Sequence, residues 1–234
     1  MRVAVVTGAS SGIGAALCRG LRGRGWQVVG LSRSAAPDAD EHEACDVSDR
    51  AAVEAVAARV LERHPQIGLL VNNAGIAARG SFLDAEPELI EQTMRTNYLG
   101  SVWCVRAFLP GLGQGSKVVN IVSVAGTVAD GPYSASKHAQ LAFSRSLTFE
   151  LASRGVGVLG VLPGYVETPG FPQRERFGVV AGRIVAEPEF VATRTLDALE
   201  SGRREIIVPR WYRPAAWIQA LVPGTVARLR SRIR

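Results

Sequence analysis

Val3-Ala-Val-Val-Thr-Gly-Ala-Ser-Ser-Gly-Ile-Gly14 is the stretch on which the fold turns. Val3–Val6 is an apolar run of strand length, and a helical pattern continues from the glycines to about Leu21. Between them, glycines at 8, 12 and 14 let the backbone turn tightly and come close to a pyrophosphate. A helix starting there offers unpaired N–H groups and the positive end of its dipole. Any strand-to-helix turn can use glycine, so the weight lies in the position, after a first strand and before a helix. A triphosphate-binding loop would end in Gly-Lys-Ser/Thr. This chain has Ile13-Gly14-Ala15, which argues against phosphoryl transfer.

Working outward, short apolar runs alternate with helical patterns. Strands are expected at Val28–Leu31, near Ala44–Val47, and at Leu69–Asn72, Lys117–Ser123, Val156–Leu162 and Glu205–Val208. Helices are expected over 50–63, around 87–96 and on to about Phe108, then over 133–153 and 188–201. That alternation predicts an α/β fold: a Rossmann-type doubly wound parallel sheet in a single domain. Ser34–Glu43, with Pro37 and several acids, is too short and broken for a crossover helix. A loop or a single turn is expected there, leaving one face of the sheet less covered.

The 234 residues are enough for a full core, and 47% hydrophobic with 21% charged content reads as soluble and globular. No uncharged apolar stretch reaches the roughly 18 residues of a spanning helix. The first residues run straight into a strand and lack the layout of a cleaved signal peptide. Cys18, Cys45 and Cys104 are widely spaced and odd in number, as expected of reduced, buried thiols in a cytoplasmic protein. His42, His64 and His138 form no metal-ligand pattern. The net charge of +6 is concentrated: residues 201–234 hold eight Arg and one acid, while the rest of the chain carries −1. A nucleic-acid-binding body is therefore not supported.

Two further sites carry chemistry. The second strand ends Gly30-Leu-Ser-Arg-Ser34, where an NAD site would favour an acid on the ribose hydroxyls. Arg33 can instead bind a 2′-phosphate, so NADP(H) is preferred over NAD(H). Tyr133-Ser-Ala-Ser-Lys137 places a phenol and an ammonium four residues apart, on one face of a helix. A neighbouring cation stabilises the phenolate and draws the phenol towards neutral pH, where it can work as an acid or base. Alone, this pair reads better as an ordinary surface Tyr and Lys.

Taken in order, these motifs resemble the classical short-chain dehydrogenase/reductase family over roughly residues 1–210. Thr7–Gly14 matches its cofactor loop, with Gly8, Ser10, Ser11, Gly12, Ile13 and Gly14 against the cofactor. Asp46-Val47 matches the pair beside the adenine, and Asn72-Asn-Ala-Gly75 the turn after the fourth strand, with Asn73, Ala74 and Gly75 at the cofactor. Asn97 in Thr96-Asn-Tyr-Leu-Gly100, Ser123 in Ser-Val-Ala-Gly126, and Tyr133 with Lys137 match the active-site residues. Pro163-Gly-Tyr-Val-Glu-Thr168 matches the nicotinamide segment, through Pro163, Gly164, Val166 and Thr168. Each match has a plainer reading. Asn72 and Asn73 could form a turn, and Asp46, or better Ser48, could cap the next helix.

The resemblance implies reduction of a carbonyl to an alcohol, or the reverse, with hydride from the cofactor. Tyr133 would be the acid, Ser123 would hold the carbonyl oxygen, and Asn97 would hold a water linking Lys137 to solvent. Lys137 would lower the Tyr133 pKa and bind the nicotinamide ribose, with Arg33 and Ser34 at the 2′-phosphate. A small-molecule carbonyl or alcohol substrate and a homodimer or homotetramer are the partners it implies. Ser123 and Tyr133 lie ten positions apart, fewer than is usual in the family. The shortening falls in Thr127–Pro132, which alters the pocket more than the chemistry.

Pro169–Glu187 occupies the place of the family's substrate lid, with apolar Phe171, Phe177, Val179 and Val180 and basic Arg174, Arg176 and Arg183. Residues 211–234 form a basic helical extension. Trp217, Ile218, Leu221 and Val222, then Val226, Leu229 and Ile233, recur at helical spacing among Arg228, Arg230, Arg232 and Arg234, with Pro223-Gly224 between the two groups. This suits peripheral contact with an anionic membrane, or an arm packed on the body or on a partner subunit. Beside the carbonyl reductase stand two alternatives: a membrane-peripheral lipid or sterol enzyme, and a cofactor-binding regulator without turnover.

Overall fold

Along the first strand, Val3 and Val5 point to one side and Ala4 and Val6 to the other, and all four are buried. A strand buried on both faces belongs in the middle of a parallel sheet. The computed structural model describes residues 2–78, 80–178 and 181–214, with 218, 221, 222, 224–226 and 228. It has a seven-stranded parallel sheet built from β1 (Arg2–Thr7), β2 (Trp26–Ser32), β3 (Glu41–Ala44), β4 (Leu69–Asn72), β5 (Lys117–Ile121), β6 (Gly157–Pro163) and β9 (Glu205–Val208). The spatial order is β3-β2-β1-β4-β5-β6-β9, the doubly wound arrangement expected. One face is covered by α1 (Gly12–Arg22) and α8 (Pro188–Glu200). The other is covered by α2 (Arg50–Arg63), α4 (Gly100–Phe108) and α5 (Gly131–Glu150).

β3 lies three residues earlier than its apolar residues suggested. It pairs Glu41–Ala44 with Val29–Ser32, while Cys45 and Val47 are buried just beyond it. The strand has one neighbour and polar side chains, so no apolar run marks it. Glu41 and Glu43 engage Arg63, and Glu43 also pairs with Arg59. The cap of α2 also differs from expectation. Asp49 accepts the N–H groups of Ala51 and Ala52, whereas Asp46 takes the N–H and hydroxyl of Ser48.

No helix forms between β2 and β3, as expected, yet the face there is covered. The intervening loop lays Ala36 and Ala39 over Gly30 of β2, and Ala36 joins the core. Its acids turn towards α1: Asp38 pairs with Arg19 at 2.5 Å and Asp40 with Arg22 at 2.8 Å. The helical stretch 87–108 is α3 (Pro87–Met94), one π turn over Arg95–Leu99, and then α4. After β6 the chain adds β7 (Tyr165–Val166), α6 (Arg174–Phe177), α7 (Ala181–Ile184) and β8 (Val185–Ala186), with β7 and β8 paired. In the tail, Ile218, Leu221 and Val222 are exposed, while Trp217, Leu229 and Ile233, like Val179 and Val180 of the expected lid segment, lie outside the described residues. Among the described residues, no helix is long and apolar enough to cross a membrane.

A Cβ on Gly30 would stand 2.9 Å from those of Ala9 and Ala39. Gly30→Val should therefore destabilise the protein by about 1–3 kcal/mol through overpacking. Urea unfolding should show the loss, and limited proteolysis should show faster cleavage between 33 and 40; unchanged curves would mean the loop does not depend on this contact.

Candidate active site

The strand order reverses between β1 and β4, and loops leaving the two strand ends diverge there to open a crevice. Thr7 ends β1, and its Oγ1 accepts the N–H groups of Asn73 (2.9 Å) and Ala74 (3.0 Å) and donates to the carbonyl of Val71. Asn73 returns the contact, its amide donating to the carbonyls of Thr7 and Gly8. The Gly-rich loop and the turn after β4 are thus tied together. The fit has no room at Gly14, where a Cβ would lie 2.1 Å from the Gly8 carbonyl oxygen.

A cleft of about 1450 Å³ opens above these loops. Its wall includes every expected cofactor residue except Gly14, which lies buried beneath the loop. Arg33, Ser34, Asp46 and Val47 flank the β2 side, and Ser123, Tyr133, Lys137, Pro163, Gly164, Val166 and Thr168 the β5–β6 side. Arg33 is exposed and forms no ion pair among the described residues. Ser11 starts α1 without using its hydroxyl as a cap.

The short Ser123–Tyr133 spacing does not separate the two residues. Ser123 caps a 3-10 turn over Val124–Thr127, and its hydroxyl hydrogen-bonds the Tyr133 phenol. The turn packs against the start of α5, where the single proton of Ser134 Oγ is shared between the carbonyls of Ala125 and Val128. Burial raises the phenol above its ordinary pKa, and the bond from Ser123 acts against that rise. The Lys137 ammonium lies 5.9 Å from the centroid of the Tyr133 ring. The sequence reading gave the lowering of the phenol to Lys137; the Ser123 hydroxyl is a second group that favours the phenolate. The ammonium donates to the carbonyl of Ile121 (3.1 Å) and to Gln140 Oε1 (2.7 Å), and burial pushes it down to about 7.

Asn97 is fully buried within the π turn and lies behind the cleft wall. Its side chain accepts from Ile76 N–H and donates to the Ile76 carbonyl and to Ser136 Oγ. Ser136 Oγ donates in turn to the Tyr133 carbonyl. Asn97 therefore braces the turn after β4 against the first turns of α5.

Two aromatic wall residues, Tyr165 and Tyr212, had no assigned part in the sequence reading. Tyr212, beyond β9, lies over Gly164, where a Cβ would stand 1.9 Å from its ring. Its hydroxyl donates to the Ile184 carbonyl and accepts from Tyr165 N–H. Tyr165 stands beside it, while Phe171, from the segment expected to form the lid, stacks on Tyr133 with ring centroids 6.0 Å apart. The one signal for Tyr212 was the glycine at 164, which leaves space for a neighbour that the sequence does not name.

The model of the short chain dehydrogenase family matches residues 2–176. The chain belongs to the short-chain dehydrogenase/reductase family. It is therefore an oxidoreductase by descent, and its relatives share most of its length. A Streptomyces virginiae protein whose name assigns it to ketoacyl reduction in the monensin polyketide synthase is 36% identical over 86% of this chain and 84% of its own. Dehydrogenase/reductase SDR family member 7B of Bos taurus is 30% identical over 97% of this chain and 79% of its own. A Burkholderia phymatum family structure in complex with NAD superposes with a TM-score of 0.85 at 26% identity, covering 94% of this chain and 92% of that one. A Burkholderia cenocepacia short chain dehydrogenase in complex with NADP gives 0.78 at 27% identity, covering 89% and 96%.

In this family member the buried ammonium has a consequence for stability. Its folded pKa, about 7, lies below its ordinary 10.5, so between those values the unfolded chain binds more protons. Stability should then rise with pH, by up to roughly 1.4 kcal/mol per pH unit. The buried thiols act oppositely, but only above their ordinary 9.0. Between pH 7 and 9, denaturant midpoints of the cofactor-free protein should climb, and Lys137→Met should flatten the climb; parallel slopes would place the proton uptake elsewhere.

Proposed function

We propose that this short-chain dehydrogenase/reductase is an NADP(H)-dependent carbonyl reductase, able to run the reverse alcohol oxidation, with Ser123, Tyr133, Lys137 and Asn97 as its active-site residues. The observation that carries the reading is the meeting of the Ser123 hydroxyl, the Tyr133 phenol and the Lys137 ammonium at one side of a cleft whose other side holds Arg33.

The residues present suit a dinucleotide. The glycine cradle at 8, 12 and 14 would be filled by side chains, and the first turn of α1 has N–H groups with no helical partner. Bound there, the cofactor supplies the hydride. The nearest acids after β2, Asp38 and Asp40, are engaged by Arg19 and Arg22, which supports Arg33 and Ser34, both on the cleft wall, as the residues to meet a 2′-phosphate. That arrangement favours NADP(H) over NAD(H).

Tyr133 holds at Oη the proton that the carbonyl oxygen takes up as its carbon becomes tetrahedral. Ser123 donates to the same oxygen and fixes its place. Lys137 stabilises the phenolate left behind, and Asn97 holds the turn that borders it. Val122, Val124, Phe171 and Tyr212 make this side of the wall largely apolar. With relatives named for ketoacyl reduction, ketones borne on acyl chains are the first substrates to assay.

Tyr133→Phe should lower turnover at least ~10²-fold while leaving cofactor affinity near wild type. Steady-state rates with a chain-length-graded panel of ketones and aldehydes test this, and near-wild-type turnover would remove Tyr133 as the acid. Arg33→Ala should weaken NADPH binding by roughly tenfold or more and leave NADH nearly unchanged, consistent with about 1.5–3 kcal/mol for a charged hydrogen bond. Fluorescence titration with both cofactors reads it, and equal losses would mean that Arg33 does not bind the phosphate.

A further inference from the structure

Lys137 is 4% exposed, and no carboxylate among the described residues acts on it. A buried ammonium without a counter-ion survives only if its protons find acceptors. Two are present. One is the Ile121 carbonyl at 3.1 Å. The other is Gln140 Oε1 at 2.7 Å, one turn further along α5. Gln140 is itself fully buried, and its Nε2 donates to Ser101 Oγ at 2.9 Å. Ser101 Oγ donates its own proton to the Asn97 carbonyl at 3.3 Å.

That last bond settles which way the amide faces. A hydroxyl has one proton, so Ser101, having given it to Asn97, can only accept from Gln140. The NH₂ group of Gln140 must therefore face Ser101, and its oxygen must face Lys137. With two ammonium protons held, the third is left for the cleft, whose wall includes Lys137. The titratable neighbour is Tyr133; the other groups around the ammonium, Ile121, Gln140 and Gly75, carry no charge.

We propose that Gln140 is a positioning residue of the active site, which keeps the Lys137 ammonium charged and aimed at the cleft, with Ser101 fixing the orientation of its amide. A neutral acceptor suits this part. It favours the cation without cancelling the field that the cation exerts on the phenol, as a carboxylate would. The catalytic consequence rests on the function proposed above, whereas the charge state of Lys137 can be read without any turnover.

The chain has two lysines, Lys117 and Lys137. Lysine labelled with ¹³C at Cε therefore gives two signals in the full-length protein, and Lys117→Arg assigns them. The Lys137 titration midpoint should fall by about one pH unit in Gln140→Met, the worth of one hydrogen bond to a charged group. It should rise in Gln140→Glu. The alkaline limb of the pH profile for NADPH-dependent reduction should move in the same directions. Midpoints equal to wild type in both variants would overturn the proposal, as would shifted midpoints with an unmoved alkaline limb. If Gln140→Met fails to fold, the Gln140→Glu shift decides alone. If wild type oxidises NADPH with no carbonyl tested, the proposed function fails, while the resonance titration still tests the hold of Gln140 on the ammonium.

Discussion

The hydroxyl of Thr7 ties together two loops that the strand order drives apart. It accepts two backbone N–H groups from the turn after β4 and donates to the carbonyl that precedes that turn. Parallel strands that wind in opposite directions from a common centre leave a crevice at their carboxyl ends, and its walls are loops with no sheet to hold them. Here the side chains of Thr7 and Asn73 hold them by reciprocal bonds. The glycines at 8 and 14 follow from that contact, since a Cβ at either would enter the partner loop or the carbonyl beneath it. The glycine-rich loop and the facing wall of the cleft thus share one anchoring point.

A second constraint comes from burying a cation. The Lys137 ammonium lies within the protein, and polar side chains surround it in a continuous chain through Gln140 and Ser101 to Asn97. Asn97 in turn reaches Ile76 and Ser136, so the turn after β4, the π turn and the start of α5 are locked into one unit. Single π turns inside helices often accompany functional sites. The one here places the Asn97 side chain against Ile76 while its carbonyl remains open to Ser101. The rigidity that holds Tyr133 and Ser123 within hydrogen-bonding reach is the rigidity that satisfies the buried ammonium.

Polar edges of the sheet were the hardest part to read. β3 has no apolar alternation, because its carboxylates face α2 and its neighbour lies on one side only. Pattern reading followed the buried Cys45 and Val47 instead, and these lie just past the strand. The cap of α2 shifted for a related reason. Ser, Asp and Asp occur within four residues, all able to cap, and backbone geometry at Asp49 selects one of them.

Central strands, main helices and the ordered motifs were legible in the sequence because they depend on local properties: apolar runs, helical spacing, and glycines where a backbone must pass closely. The residues around the cleft, from Gly8 to Thr168, could be named on that basis and by family resemblance. Tertiary structure alone decided what meets across long separations. Tyr212 fills the space over Gly164, the loop between β2 and β3 covers a face that lacks a helix, and Gln140 meets Lys137 and Ser101 in the interior. No periodicity encodes such contacts. A buried glutamine on a helix reads as an ordinary polar residue until the packing of α5 against β5 and α4 shows which polar groups water cannot reach.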